Sequence, residues 1–204
     1  MSRAQLFETS RSTNDRQLKE IQKKAHSDGL ISQNEYFGEL AHMLSASSPE
    51  SLEIFKEISK SENSYGIEVM FASLANNDIW LKTLSNAERS SVLAQLEELK
   101  PKFSGDMSAL GMSDVYRYDH WVKSIEKTYG NANFEDFLAK NIFEKAAEPR
   151  EFLALIHGGY VDRLKAGNFP VVNFVDRVVA DYHRSYPNND SANIILNKKN
   201  TDRN

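Results

Sequence analysis

The stretch that decides the fold is residues 18–44, LKEIQKKAHSDGLISQNEYFGELAHML. In its first half, Leu18, Ile21 and Ala25 recur at the spacing of one helix face. Gly29 can adopt the left-handed backbone conformation that ends a helix, because glycine has no Cβ to clash. The first half is therefore predicted to be a helix that ends at this glycine.

The second half of the stretch begins with a helix-capping pattern. Ser32 is followed three residues later by Glu35, so each side chain can accept a hydrogen bond from the backbone amide of the other residue. The residues that follow place an apolar stripe on one helix face: Phe37, Leu40, Ala41 and Leu44. Together the two halves predict an αα-hairpin over residues 14–46.

This hairpin resembles the short helical oligomerisation hairpins that are often appended to bacterial proteins. In those modules a Gly-hydrophobic-hydrophobic-Ser/Thr turn is followed by an acidic-aromatic pair, which here is Glu35-Tyr36 after the turn from Gly29 to Ser32. The resemblance implies a homo-oligomer. Because such modules usually lie at the C-terminal end of a chain, we retain the alternative of an ordinary hairpin packed on the core.

Proline, serine and glycine signals divide the rest of the chain into further helices. Pro49 and Pro149 fit the first turn of a helix, where the missing amide proton is not needed. Residues 65–75 are nearly all apolar, and we expect a helix there because the neighbouring segments are helical. Helix starts or stops are also predicted at Ser85, Pro101, Ser113, Gly130 and Asn133.

These signals predict an all-α fold, a compact orthogonal bundle of eight or nine short helices. One helix is expected from Pro149 to Ala166 and the last from Val171 to Tyr186. We expect a single domain over residues 14–186, with a subdomain break near 101–112. Residues 1–13 and the polar tail 187–204 are expected to be flexible.

Composition excludes several classes of protein. The 25 basic and 29 acidic side chains give a formal charge of -4, which argues against a broad nucleic-acid or anionic-membrane surface. The absence of cysteine excludes disulfides, thiolate zinc sites and iron–sulfur clusters. No run reaches the roughly 18 apolar residues of a membrane span. We expect a soluble cytoplasmic protein, with delivery by a bacterial secretion system as the alternative.

Known catalytic and ligand-binding motifs are missing from the sequence. The five histidines show no metal-ligand spacing, so neither a metal nor a cofactor is expected. The phosphate-binding loop, the Gly-x-Ser-x-Gly nucleophile elbow and the dinucleotide-binding glycine pattern do not occur. An enzymatic role is therefore the less favoured interpretation.

Arg177 and His183 form the one pattern that suggests catalysis. An arginine and a histidine four to six residues apart on a terminal helix resemble the motif of HEPN-type helical ribonucleases. In that family, histidine moves protons and arginine stabilises the charge on phosphate across a dimer. On an ideal helix a spacing of six places the two side chains on different faces. The alternative is that both side chains face solvent and pair with neighbouring charges.

The segment His157-Gly158-Gly159 is unusual inside a predicted helix, because each internal glycine costs roughly 1 kcal/mol relative to alanine. Close helix packing or a kink explains the pair most simply. The functional alternative is a ligand that approaches the backbone there. The residues that would line such a pocket are His157, Tyr160, Asp162 and Arg163.

Three aromatic residues are candidates for an interface: Trp80, Trp121 and Tyr116. Such rings combine a large apolar area with a polar atom, although they more often belong to the core. Tyr116 is the better exposed candidate, because it falls outside the apolar stripe of its predicted helix.

The sequence as a whole favours a non-enzymatic module that binds or inhibits another protein through a helical surface rich in aromatic and acidic residues. Immunity proteins, antitoxins, secretion accessories and phage inhibitors fit this description by analogy of composition. The alternatives are a HEPN-like metal-independent ribonuclease and a secreted bacterial effector. The expected partner is another protein or a second copy of the chain, and neither a membrane nor a nucleic acid.

Overall fold

The computed structural model describes residues 15–44, 50–103, 112–130, 134–146 and 149–169, and the single positions 180, 184, 187 and 188. Within these residues every regular element is a helix and there is no strand, so the all-α prediction is confirmed. The nine α-helices are α1 Asp15–Ser27, α2 Gln33–Met43, α3 Ser51–Lys60, α4 Ser64–Asn76, α5 Asn86–Glu98, α6 Met112–Tyr129, α7 Phe134–Phe137, α8 Pro149–His157 and α9 Tyr160–Ala166. A 3-10 turn, Trp80–Thr83, precedes α5, and a π-helix, Leu138–Phe143, follows α7.

The chain divides into two compact units. The first unit comprises residues 1–99 and 123–128, and the second comprises residues 100–122 and 129–204. The division at residue 99 falls just before the predicted subdomain break. Whether the two units form one folding domain stays a prediction.

The N-terminal hairpin of the first unit has the predicted caps. Gly29 has a φ of 69°, and the amide of Leu30 donates to the carbonyl of Ala25 over 2.8 Å, which closes a Schellman-type helix end. At the start of α2, the amide of Ser32 donates to Glu35 Oε2 over 2.8 Å while the Ser32 hydroxyl accepts from the Glu35 amide. The same reciprocal capping occurs at Ser85 and Glu88 before α5.

A polar contact joins α1, α2 and α3 of the first unit. The Tyr36 hydroxyl donates to Glu57 Oε1 over 2.5 Å, and Lys19 Nζ lies 3.0 Å from the other carboxylate oxygen. The ring of His26 stacks on Tyr36, with ring centroids 5.0 Å apart. Burial raises the pKa of Tyr36 above its usual range, and the hydrogen bond to Glu57 raises it further. Tyr36 therefore stays protonated while it donates.

Arg89 connects α5 to two other segments of the first unit. Its guanidinium donates to the carbonyl oxygen of Leu81 and to that of Thr128, each over 2.8 Å. Both acceptors lie at the end of a helical segment, where carbonyl groups lack partners within the helix. One side chain therefore satisfies two helix ends.

The second unit contains a buried ion pair beside an aromatic residue. Lys100 Nζ lies 2.6 Å from Glu151 Oε1, and Glu151 is buried. The ammonium group also lies 6.0 Å from the centre of the Tyr118 ring, which is completely buried. Burial raises the pKa of Tyr118, and the Glu151 carboxylate raises it further.

Two predicted helix boundaries are wrong. α6 begins at Met112, so Ser113 lies inside the helix and does not cap it. The single helix expected over 149–166 is instead two helices, because α8 ends at His157 and α9 begins at Tyr160. Gly159 between them has a φ of 76°, which no helix accommodates. The predictions for Asn133, for Pro49 and for residues 1–13 lie outside the described residues. Of the predicted helix 171–186 only positions 180 and 184 are described, and of the tail 187–204 only positions 187 and 188.

The Tyr36 contact gives a stability prediction. Tyr36→Phe removes one hydrogen bond to a half-buried carboxylate and should lower the free energy of unfolding by about 1 to 2 kcal/mol. The folded state holds the phenol protonated, so above a pH of about 10 the unfolded chain releases this proton first. The advantage of wild type over Tyr36→Phe should therefore shrink as the pH rises above that value. Urea unfolding at pH 8 and at pH 11 measures both effects, and a constant difference would contradict the assignment.

Candidate functional site

The break between α8 and α9 is built on a close contact with α6. A Cβ at Gly158 would lie 2.5 Å from Asp119 Oδ1 and 2.6 Å from Cε2 of Tyr160. At such distances the Asp119 carboxylate and the Tyr160 ring would have to shift to admit a side chain, so position 158 favours glycine. Asp119 is only 3% exposed, which means that its carboxylate is buried against the α8–α9 backbone. The glycine pair is thus explained by close packing and by a sharp change of direction.

Tyr116 and His157 form an aromatic pair beside this contact. Their ring centroids lie 5.2 Å apart and the ring planes are nearly perpendicular, at 88°. Tyr116 lies one helical turn before Asp119 on α6, and His157 is the last residue of α8. Within the described residues, no hydrogen-bond partner reaches the buried Nδ1 of His157. The Tyr116 ring is therefore a packing partner of this imidazole.

The other predicted pocket residues lie on α9 and have different surroundings. Tyr160 is buried, whereas Asp162 is exposed. Arg163 Nη2 lies 2.6 Å from Glu135 Oε1, and its guanidinium lies 5.5 Å from the centre of the Phe134 ring. The hydrogen bond from Arg163 lowers the pKa of Glu135, which keeps that carboxylate charged. Arg163 therefore joins α9 to α7.

The structure brings together only part of the predicted pocket. His157 and Tyr160 flank the glycine pair, Arg163 is engaged by Glu135, and Asp162 faces solvent. A ligand role for these four residues stays a prediction.

The two tryptophans are core residues. Trp80 and Trp121 are each 3% exposed. Trp80 packs near Phe55, with ring centroids 6.0 Å apart, and Trp121 packs on Tyr118 at 5.1 Å. Neither indole is available as a surface anchor, which corrects that expectation in favour of the core alternative. Tyr116, in contrast, is 47% exposed.

Two exposed apolar residues were missed by the sequence reasoning. Tyr65 is 48% exposed and Ile79 is 54% exposed, both in the first unit. Neither belongs to a recognisable motif. Gly38 and Gly66 are an indirect sequence signal, because a glycine inside a helix needs a reason such as close packing. The sequence does not say which side chain packs there, and the fold shows that Tyr65 lies on Gly38.

The described part of the chain gives no support for metal chemistry or membrane insertion. Within it, no three His, Asp or Glu side chains are grouped so that they could hold a metal ion. None of its helices is both long and apolar enough to cross a bilayer. Arg177 and His183 lie outside the described ranges, so the ribonuclease-like pair stays a prediction.

Comparison of the chain with protein-family models, curated proteins and solved structures found no match.

The contact between Asp119 and Gly158 predicts coupling between two mutations. Gly158→Ala should lower the free energy of unfolding by about 1 to 3 kcal/mol, because a methyl group is forced against a carboxylate and a ring. Asp119→Ala removes the carboxylate side of this clash. The double variant should therefore lose less stability than the sum of the two single losses.

Urea unfolding of the four proteins measures this coupling. Gly159→Ala is a matched control, because a Cβ there meets nothing within 4 Å and its cost comes only from the left-handed backbone. Strict additivity of Gly158→Ala and Asp119→Ala would contradict the packing assignment.

Proposed function

We propose that the chain is a non-enzymatic protein-binding module and that Tyr116 is an anchor of its binding surface. The proposal rests on two properties of Tyr116: it is exposed to solvent, and another aromatic ring packs against it. About half of Tyr116 is open to solvent, while the ring of His157 packs against its ring at nearly a right angle. A half-exposed tyrosine that is packed on one side offers a large contact area, and its ring is already oriented before a partner binds.

The energetic reason lies in the side-chain entropy of binding. Immobilising a mobile side chain costs about 0.5 to 1.5 kcal/mol, which reduces the affinity of a surface. A ring that is packed on one side before binding avoids part of this cost. Tyrosine is also enriched among the residues that dominate interface energies, because its ring buries apolar area and its hydroxyl finds a partner.

An ion pair lies on the same stretch of α6 as Tyr116. Arg117 Nη2 lies 2.9 Å from Asp114 Oδ1, and the same guanidinium donates to the carbonyl of Lys102 over 3.3 Å. On a helix, positions one and two residues away from Tyr116 point in other directions, so Tyr116 alone carries the proposal.

The charge balance supports a protein as the partner. The chain carries a formal charge of -4, and such a balance favours neither a phosphate backbone nor an anionic lipid surface. A mechanism of simple occlusion, in which the bound surface blocks a partner, fits the inhibitory classes named above.

Affinity purification with the full chain as bait tests this proposal. Wild type should retain a specific partner from an extract of its source cells, identified by mass spectrometry. Tyr116→Ala should lose that partner at least about tenfold, as is typical of an anchor residue. Tyr116→Phe is the matched control and should retain most of it, because the ring contact persists.

Thermal unfolding should show that Tyr116→Ala stays folded and loses only about 0.5 to 1.5 kcal/mol, the contribution of its ring contact with His157. Equal retention of the partner by Tyr116→Ala would contradict the role of this residue. Cleavage of RNA by the purified chain, lost in His183→Ala, would contradict the non-enzymatic proposal itself.

A further inference from the structure

Two neighbouring contacts join α6 to the end of α8 in the second unit. The first is the ring contact between Tyr116 and His157, whose centroids lie 5.2 Å apart. The second is the contact of the Asp119 carboxylate with Gly158, where a Cβ would lie 2.5 Å from Oδ1. The two α6 residues are about one helical turn apart, and the other two are consecutive. We define the α6–α8 clasp as these four residues.

The contact at Gly158 lies inside the unit. Asp119 is 3% exposed, and Tyr160, whose ring is the other neighbour of a Cβ at position 158, is 2% exposed. Because both neighbours are buried, the side chains packed around them oppose their movement. A side chain at position 158 would therefore move the end of α8 away from α6 as well.

Backbone hydrogen bonds connect Gly158 rigidly to His157. The Gly158 amide donates to the carbonyl of Ala154 over 2.9 Å, and the Gly159 amide donates to that of Ile156 over 3.1 Å. Both hydrogen bonds span His157, the last residue of α8. A displacement at Gly158 therefore carries the His157 ring with it.

The His157 ring is held by packing on the side of its Nδ1 atom. This atom is buried, and within the described residues no hydrogen-bond partner reaches it. A buried polar atom without a partner opposes folding, so Nδ1 contributes nothing that would hold the ring in place. The position of the ring against Tyr116 consequently depends on where the end of α8 lies.

We propose that the α6–α8 clasp controls binding at Tyr116 from a buried position. Asp119 and Gly158 are positioning residues that fix the end of α8, and the fixed end holds the His157 ring against Tyr116. Neither positioning residue needs to contact a partner. The effect on binding rests on the proposed function, whereas the effect on the order of the Tyr116 ring is a property of the free chain.

Nuclear magnetic resonance of the full chain tests the effect on the free protein. With tyrosine labelled at one ring carbon, carbon relaxation reports how strongly each ring is ordered, and Tyr116→Phe identifies the Tyr116 signal. The order parameter of this ring should fall by about a third in Gly158→Ala, from the range of an ordered group to that of a flexible one. The exposed ring of Tyr65 in the first unit is an internal reference and should not change.

Second substitutions in the Gly158→Ala background separate positioning from a general loss of stability. Asp119→Ala removes the carboxylate that the new methyl group meets, so it should restore at least half of the lost order of the Tyr116 ring. Asp119→Asn is the matched control and should restore none, because its side chain keeps nearly the same volume and shape.

Substitutions of His157 test the other half of the clasp and leave Gly158 unchanged. His157→Ala should lower the order of the Tyr116 ring as much as Gly158→Ala does. His157→Phe should preserve it, because phenylalanine keeps an aromatic ring at this position and removes the buried Nδ1.

Retention of the partner that wild type purifies measures the effect on binding. Gly158→Ala should weaken it about two- to tenfold, the cost of ordering one side chain on binding. A Tyr116 ring that depends on the clasp, together with full retention by Tyr116→Ala, supports the clasp and contradicts only the proposed function. An unchanged Tyr116 order parameter in folded Gly158→Ala and His157→Ala would overturn the clasp. Equal recovery with Asp119→Ala and Asp119→Asn would overturn it too.

Discussion

Contacts between side chains and glycine backbone set how closely the helices approach within each unit. In the first unit, Tyr65 rests on Gly38 and Phe37 rests on Gly66. In the second unit, the Asp119 carboxylate rests on Gly158. Gly38 and Gly66 lie inside helices, where glycine costs up to about 1 kcal/mol relative to alanine, so the packing gained at these two positions must offset that cost. The contacts therefore fix where the neighbouring side chains lie.

The half-buried carboxylate of Glu57 imposes a second constraint, which concerns geometry more than stability. Glu57 accepts from Tyr36 and pairs with Lys19, and these three residues come from three different helices. Desolvation offsets much of the attraction in a buried pair, so such contacts add little net stability. The contact instead links the three helices at one point, where all three side chains meet.

Local chemistry explains which parts of the fold could be predicted from the sequence. The cap at Ser32 and Glu35 involves residues three positions apart, so its outcome hardly depends on the rest of the chain. Close packing or a kink at Gly158 could be predicted from the sequence, but the group that packs on it could not, because Asp119 comes from a helix far away in sequence. Ser113 has a capping residue's chemistry, yet α6 begins one residue earlier. For the candidate site, His157 was therefore identified while its surroundings were not.

Whether an aromatic residue is exposed depends on which face of its helix it occupies, and this bears on function. Trp121 lies on the buried stripe of α6, whereas Tyr116 lies off it, so helical periodicity separates core from surface more reliably than ring size does. Exposed rings are common on protein surfaces and need no explanation by themselves. Tyr65 and Tyr116 differ from ordinary exposed rings because each is packed on one side, on glycine or on His157. Because packing within the fold already restricts the rotation of these two side chains, a partner that covers either ring loses less side-chain entropy on binding.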